Sequence, residues 1–182
     1  MRSFLSVAFG LCLCASAFAA DVRIPLPTAE DIVLSIPDNW KAQVRPTTSG
    51  MPHAAVIIGP TPDQLMLLIS PITPQKPNVP PLTDERVRSI VQGAAASAKS
   101  SSVEQELPIV SLGLPGAIGY YFSATDRAPK PGEWKYLTQG SIGLGEVLIT
   151  FTVLMNGDVE TLRQQAIKVL QSIRREPRKS AP

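Results

Sequence analysis

Three carboxylates stand near enough along the chain to suggest acid–base chemistry. Asp126 and Glu133 bracket one loop, and Glu146 begins the second strand after it. Two carboxyl groups can cleave a bond when their surroundings keep one protonated and the other ionised. Nothing in this spacing requires Asp126, Glu133 and Glu146 to meet, and a solvated surface is the ordinary place for such residues. Nucleophilic chemistry has even less to draw on. Any Ser-His-Asp triad would have to use the single histidine, His53. It sits beside Pro52 at a strand entry, where a lone histidine is more often a surface or turn residue. Gly140-Ser141-Ile142-Gly143 lacks the first glycine of a Gly-x-Ser-x-Gly elbow, and there is no Ser-x-x-Lys pair. One histidine and two cysteines, Cys12 and Cys14, do not make a Cys/His zinc site. No EF-hand, Walker or dinucleotide glycine pattern occurs. The expectation is therefore a protein with no catalytic residues, no cofactor and no metal.

A second group of residues points to binding instead. Asp126-Arg127-Ala128-Pro129-Lys130-Pro131-Gly132-Glu133-Trp134 combines four charges with two prolines and a tryptophan. Loops held by a rigid sheet often make contacts, and Trp and Arg are favoured interface anchors. Asp126, Arg127, Lys130, Glu133 and Trp134 are the expected protein-binding residues. The competing reading is that Trp134 only covers a sheet edge.

The elements that position these residues follow an export signal. Arg2 precedes a short apolar run ending in Ala17-Phe18-Ala19, a small-x-small cleavage pattern. The run is short for a membrane span, so residues 1–19 read as a signal peptide cut after Ala19. Neither Cys12 nor Cys14 has lipoprotein spacing, since each follows a leucine. Membrane attachment after cleavage is not expected, and a periplasmic or secreted location is. The 182 residues carry 17 basic and 15 acidic side chains. Losing Arg2 leaves a nearly neutral chain with both cysteines gone. Such a balance argues against a nucleic-acid partner, which calls for a concentrated basic surface. Four basic residues (Arg174, Arg175, Arg178 and Lys179) fall in the last nine positions, and they read as a helix C-terminus followed by a solvated basic tail over 176–182.

Residues 20–30, with two prolines, read as a lead-in. Ile32–Ile36 and Trp40–Arg45 read as a hairpin around Pro37-Asp38-Asn39, with Trp40 in the core and Trp40, Ala42 and Val44 on one face. Ala54–Ile58 and Leu65–Ile69 are further strands, the latter apolar enough to be central. A proline-rich connector over 71–81 leads to a helix capped by Thr83, with Val87, Ile90, Val91, Ala94, Ala95 and Ala98 on one stripe. Ile109–Leu112, Ala117–Thr125, Lys135–Ile142 and Glu146–Met155 are strands, and the last alternates so that both sides read as covered. A closing helix begins after Asn156-Gly157-Asp158, carries Val159, Leu162, Ala166, Val169, Leu170 and Ile173 on a single buried stripe, and stops at Pro177. The expected order is ββββ-α-ββββ-α. The fold class is α+β: a mainly antiparallel sheet flanked by two principal helices, with one domain over 31–175 and no second core.

Ser35-Ile36-Pro37-Asp38-Asn39-Trp40 resembles the opening hairpin of the PsbP-like superfamily. The strand pair Gly140 to Met155 followed by the helix Val159 to Ile173 resembles its ending. The resemblance spans about residues 30–175 in layout. The superfamily includes bacterial DcrB-like envelope proteins, photosystem accessory subunits, a Ran-binding import factor and chaperones for type VI secretion effectors. It implies an α/β/α sandwich and a binding or accessory role without catalysis, and it carries no functional residue across. This chain departs from lipid-anchored members in lacking a lipobox. The expected function is that of an exported, non-enzymatic accessory protein of the bacterial envelope, acting on an envelope or delivered protein. A narrower form is a periplasmic immunity protein against a delivered toxin. Two other classes stay open: a small hydrolase built on Asp126, Glu133 or Glu146, and a small-ligand carrier with an apolar pocket of about 300 Å³ or more.

Overall fold

Period-two alternation of apolar residues dominates the chain, and it folds as sheet. The computed structural model describes residues 18–46, 54–76 and 78–178. Most of the expected signal peptide, the 47–53 segment with His53, and Lys179 lie outside the described residues. Ten strands and two helices follow in order: β1 (Phe18–Pro25), β2 (Glu30–Pro37), β3 (Lys41–Arg45), β4 (Ala54–Ile58), β5 (Leu65–Ile72), α1 (Asp84–Ala98), β6 (Val110–Ser111), β7 (Ile118–Thr125), β8 (Tyr136–Leu144), β9 (Val147–Met155), α2 (Val159–Gln171) and β10 (Arg174–Pro177). All pairings are antiparallel, in a seven-stranded sheet β3-β4-β5-β9-β8-β7-β6 and a three-stranded sheet β1-β2-β10. The α+β class with two principal helices is what the alternation predicts.

The large sheet has an inner and an outer face. Odd-numbered residues of β5 and β9 point inward, where Leu67, Ile69, Ile149, Phe151 and Val153 are fully or almost fully buried. They pack against Ile24, Ile32 and Leu34 of the small sheet and Ala166, Val169 and Leu170 of α2, forming one continuous core. Trp40 belongs to it, as expected. The outer face carries α1, which packs on β7 and β8 through Val91 and Ala95 against Phe122 and Ala124. This is a separate, smaller apolar cluster, where the sequence suggested a single core. Thr83 caps α1, its Oγ1 accepting from the Arg86 amide at 3.3 Å. Gly143 lets the helix approach, because a Cβ there would lie 2.9 Å from Val87 Cγ2.

Four expectations are corrected. The lead-in over 20–30 contains most of β1, which buries Val22 and Ile24 against β2. Pro37-Asp38-Asn39 does form a turn, the Trp40 amide donating to the Pro37 carbonyl at 3.0 Å, but β2 and β3 do not pair across it. The chain passes there from one sheet to the other, and Ala42 is exposed on an edge strand. The last helix ends at Gln171, not at Pro177. Arg174 and Arg175, expected at the helix C-terminus, and the first two residues of the tail expected over 176–182 form strand β10 beside β2; residues 179–182 lie outside the described residues. The arginines in and just after β10 are ion-paired: Arg174 with Asp21 (2.9 Å) and Glu176 (2.7 Å), Arg175 with Glu146 (3.1 Å) and Glu30, and Arg178 with Asp31 (2.9 Å). Arg23 and Arg174 flank Val33 in register, so their aliphatic stems roof a residue that is fully buried on the outer side of the small sheet.

Candidate functional site

Loop 126–134 leaves β7 and returns to β8, so both of its ends are fixed by the sheet. Its polar groups largely serve the loop itself. Asp126 Oδ1 accepts from the Ala128 amide at 2.9 Å. Glu133 Oε2 accepts from the Lys130 amide at 2.9 Å, while the Glu133 amide donates to the Lys130 carbonyl at 3.0 Å. Arg127 donates to the Ser102 carbonyl from Nη2 at 2.6 Å and from Nε at 3.2 Å, closing the chain that leaves α1. Beside it, burial pushes Glu104 up, but hydrogen bonds from the Thr125 hydroxyl and amide outweigh this and hold its carboxyl below the usual range. Three of the five expected binding residues (Asp126, Arg127 and Glu133) therefore shape the loop. Lys130 is exposed, and Trp134 is half-buried over a hollow of about 170 Å³ that it shares with Ala98, Leu137 and Leu154.

Glu146 does not join them. It follows the far end of β8, which at about 3.3 Å per residue is roughly 25 Å from the loop. Its carboxyl lies below its ordinary range because Arg175 donates to it, with charge attraction adding to the effect. A trio of Asp126, Glu133 and Glu146 does not converge. Among the described residues, no group of three His, Cys, Asp or Glu side chains is placed to hold a metal ion.

The hollow under Trp134 opens onto a surface that the loop reading missed. Leu154 lies on the outer face of β9, beside Met66 of β5. From there the outer face runs through the registered pairs Leu68–Thr152, Ser70–Thr150 and Ile72–Leu148, with Ile58 of β4 opposite Met66. The sequence suggested that β9 is covered on both sides. Its inner side is buried, but its outer side is only half-buried, because α1 sits over β7 and β8. Met66, Leu68 and Leu148 belong to neither apolar cluster, and Ile58 and Ile72 are 39% and 45% exposed. Outward residues on β3, β4, β5 and β9 include Lys41 and Arg45 but no carboxylate. The signal was present in the alternation of β5 and β9, but which side α1 covers is a tertiary fact.

A separate cleft of about 550 Å³ lies at the other end of the molecule, between Thr28, Lys76, Val79, Glu146 and Arg175. Its one arginine is already held between Glu30 and Glu146.

No protein-family model matches the chain, and no curated protein matches it. Two solved structures are similar. LpqN of Mycobacterium tuberculosis, involved in cell envelope biogenesis, aligns with a TM-score of 0.53 at 15% identity, over 87% of this chain and 91% of LpqN. A crystal structure from Bacteroides thetaiotaomicron VPI-5482 aligns with a TM-score of 0.46 at 14% identity, over 81% of this chain. The present chain spans 45% of that protein's length. The likeness to LpqN is one of fold.

Proposed function

We propose that this is an exported accessory protein of the bacterial envelope that works by binding another protein, without catalysis. The observation that carries the reading is the outer face over β4, β5 and β9, which no helix or strand among the described residues covers. Water contacts a band of Ile58, Met66, Leu68, Ile72 and Leu148 on a rigid sheet whose other face is sealed. Contiguous exposed apolar surface on a folded domain commonly marks an interaction site. Three further points support the reading: the export pattern at residues 1–19, the resemblance to PsbP-like and DcrB-like proteins, and the fold shared with LpqN, itself involved in envelope biogenesis. The immunity-protein form is the same reading with a delivered toxin as the partner.

The test has two parts. N-terminal sequencing of protein from a fractionated bacterial host should give a chain starting at Ala20 outside the cytoplasm. A photo-crosslinking side chain placed at Leu68 or at Trp134 should then capture a discrete protein in the envelope fraction. An unprocessed cytoplasmic chain, or no adduct from either position, overturns the reading. A small-ligand carrier is the second reading, favoured by the 550 Å³ cleft, which exceeds the ~300 Å³ a small ligand needs. A small molecule co-purifying with the protein, and lost on Arg175→Met, would support it.

A further inference from the structure

We propose that the open outer face receives an amphipathic helix of a partner protein, flanked by acidic residues, which lies alongside α1. This rests on the protein-binding reading and names the shape and charge of the partner.

The strand order sets the geometry. α1 sits over β7 and β8, and the next two strands are β9 and β5. Strands are about 4.8 Å apart, so moving two strands along places a second axis roughly 9.6 Å from α1. Packed helices sit about 8–10 Å apart. A helix over β9 and β5 would therefore touch the sheet and α1 together. Outward residues from Met66 to Ile72 span about 20 Å, the length of roughly 14 helical residues.

The available wall is the correct side of α1. Gln92, Ala96 and Lys99 face the 106–109 segment on one flank. Ile90 and Ala94, both half-buried, are about half a helical turn around from them and so face β9. Arg86, one turn before Ile90, is on that same flank. Lys41 and Arg45 stand on the opposite border, along β3. None of these three cations joins a salt bridge among the described residues. The floor between them is apolar apart from Ser70, Thr150 and Thr152, and holds no carboxylate. A second copy of this chain paired through β3 would bring Lys41 against Arg45, so like charges oppose that occupant. Edge lysines also discourage strand addition. An apolar stripe with glutamate or aspartate on both flanks satisfies the floor and both borders.

The experiment uses two synthetic 15-residue peptides with the same leucine and alanine stripe, one flanked by glutamate and the other by lysine. Binding to the protein is followed by titration calorimetry. The glutamate peptide should bind roughly tenfold tighter at low salt, with the gap narrowing as salt is added. Leu68→Gln with Ile72→Gln should remove binding while the circular dichroism spectrum stays native. Lys41→Glu with Arg45→Glu should narrow or reverse the preference. Equal binding of the two peptides, no binding by either, or binding that survives the floor substitutions overturns the proposal. If Trp134 still crosslinks to an envelope protein while both peptides fail, the protein-binding reading stands and the helix does not.

Discussion

The two faces of the large sheet use the same alternating sequence to different ends. Inward, every odd residue of β9 from Val147 to Met155 is buried at 1% exposure or less beneath a second sheet and a helix. Outward, Leu148, Thr150 and Thr152 are half-buried under no described element, although β7 and β8 beside them are covered by α1. Apolar burial is the main stabilising term in a chain of this size, and one sealed face supplies it. The outer half-face is then free to carry apolar residues that folding does not require. The contrast separates residues that hold the structure from residues whose apolar character needs another explanation.

The sharpest way to break this contrast is Phe151→Ala. Phe151 is 1% exposed and lies against Gly140, where an added Cβ would come within 2.5 Å of its ring. The loss should be about 3–5 kcal/mol in urea unfolding, as for other buried phenylalanines. Gly140→Ala tests the same contact from the other side. Its Cβ would also stand 2.1 Å from the Tyr120 carbonyl oxygen, a backbone atom that cannot swing away. Overpacking of this kind should cost ~1–3 kcal/mol. If either variant unfolds like the parent, the inner face is not the stabilising one.

How far the sequence discloses these faces depends on how local the cause is. The Thr83 cap, the Pro37 turn and the α1 stripe are set by neighbours a few residues away and are legible in the sequence, whereas the α2 stripe runs on to Ile173, past the helix end at Gln171. β1 and β10 were obscured because their partner is remote. Arg174 pairs with Val33 and bonds to Asp21, about 150 positions apart, and its strand carries charges where an apolar alternation would have identified it. Their register exists only once the chain closes. The candidate site is split in the same way. Trp134 is visible as an odd residue in a polar loop, but the open floor beside it depends on α1 covering two strands and not four.

The covered half of the outer face should depend on its helix to a modest degree. Thr83→Ala removes the oxygen that accepts from the Arg86 amide, and should cost ~1 kcal/mol. Proteolysis or hydrogen exchange should show the first turn of α1 opening more readily, with β9 and α2 unchanged. A uniform loss across all elements would mean that α1 and the inner core fold as one unit.

The strand that closes the inner face predicts a pH effect. Glu146 is lowered in the folded chain by Arg175, from an ordinary value of 4.5. A depressed carboxylate contributes stability that is present above the unfolded value and lost as pH falls through the folded one. Asp21 is lowered too, first by its bond from Ser35 and then by Arg174. Thermal midpoints should therefore drop as the pH falls below about 4.5, and Arg175→Met should flatten part of that slope. Both partners are about a quarter to a third exposed, so after screening the pair contributes less than ~1 kcal/mol at neutral pH. An unchanged slope would mean that Arg175 does not hold the Glu146 carboxyl lower in the folded chain than in the unfolded one.

The smallest expected effect on stability discriminates most sharply between the faces. Leu68 lies on the outer side of β5 between Val56 and Thr152, with neither cluster packed on it. Glutamine at this position keeps the strand and much of the volume, and replaces apolar surface that water already reaches. The change in unfolding free energy should stay within ~0.5 kcal/mol, as at a surface site. Leu67→Gln, one residue away and fully buried, should cost several times more, because it places an unpaired amide in the core. If the two substitutions cost the same, Leu68 is already covered and the outer half-face is not free. If they differ as expected, its leucine is kept for something other than folding, and loss of partner crosslinking in Leu68→Gln would identify what.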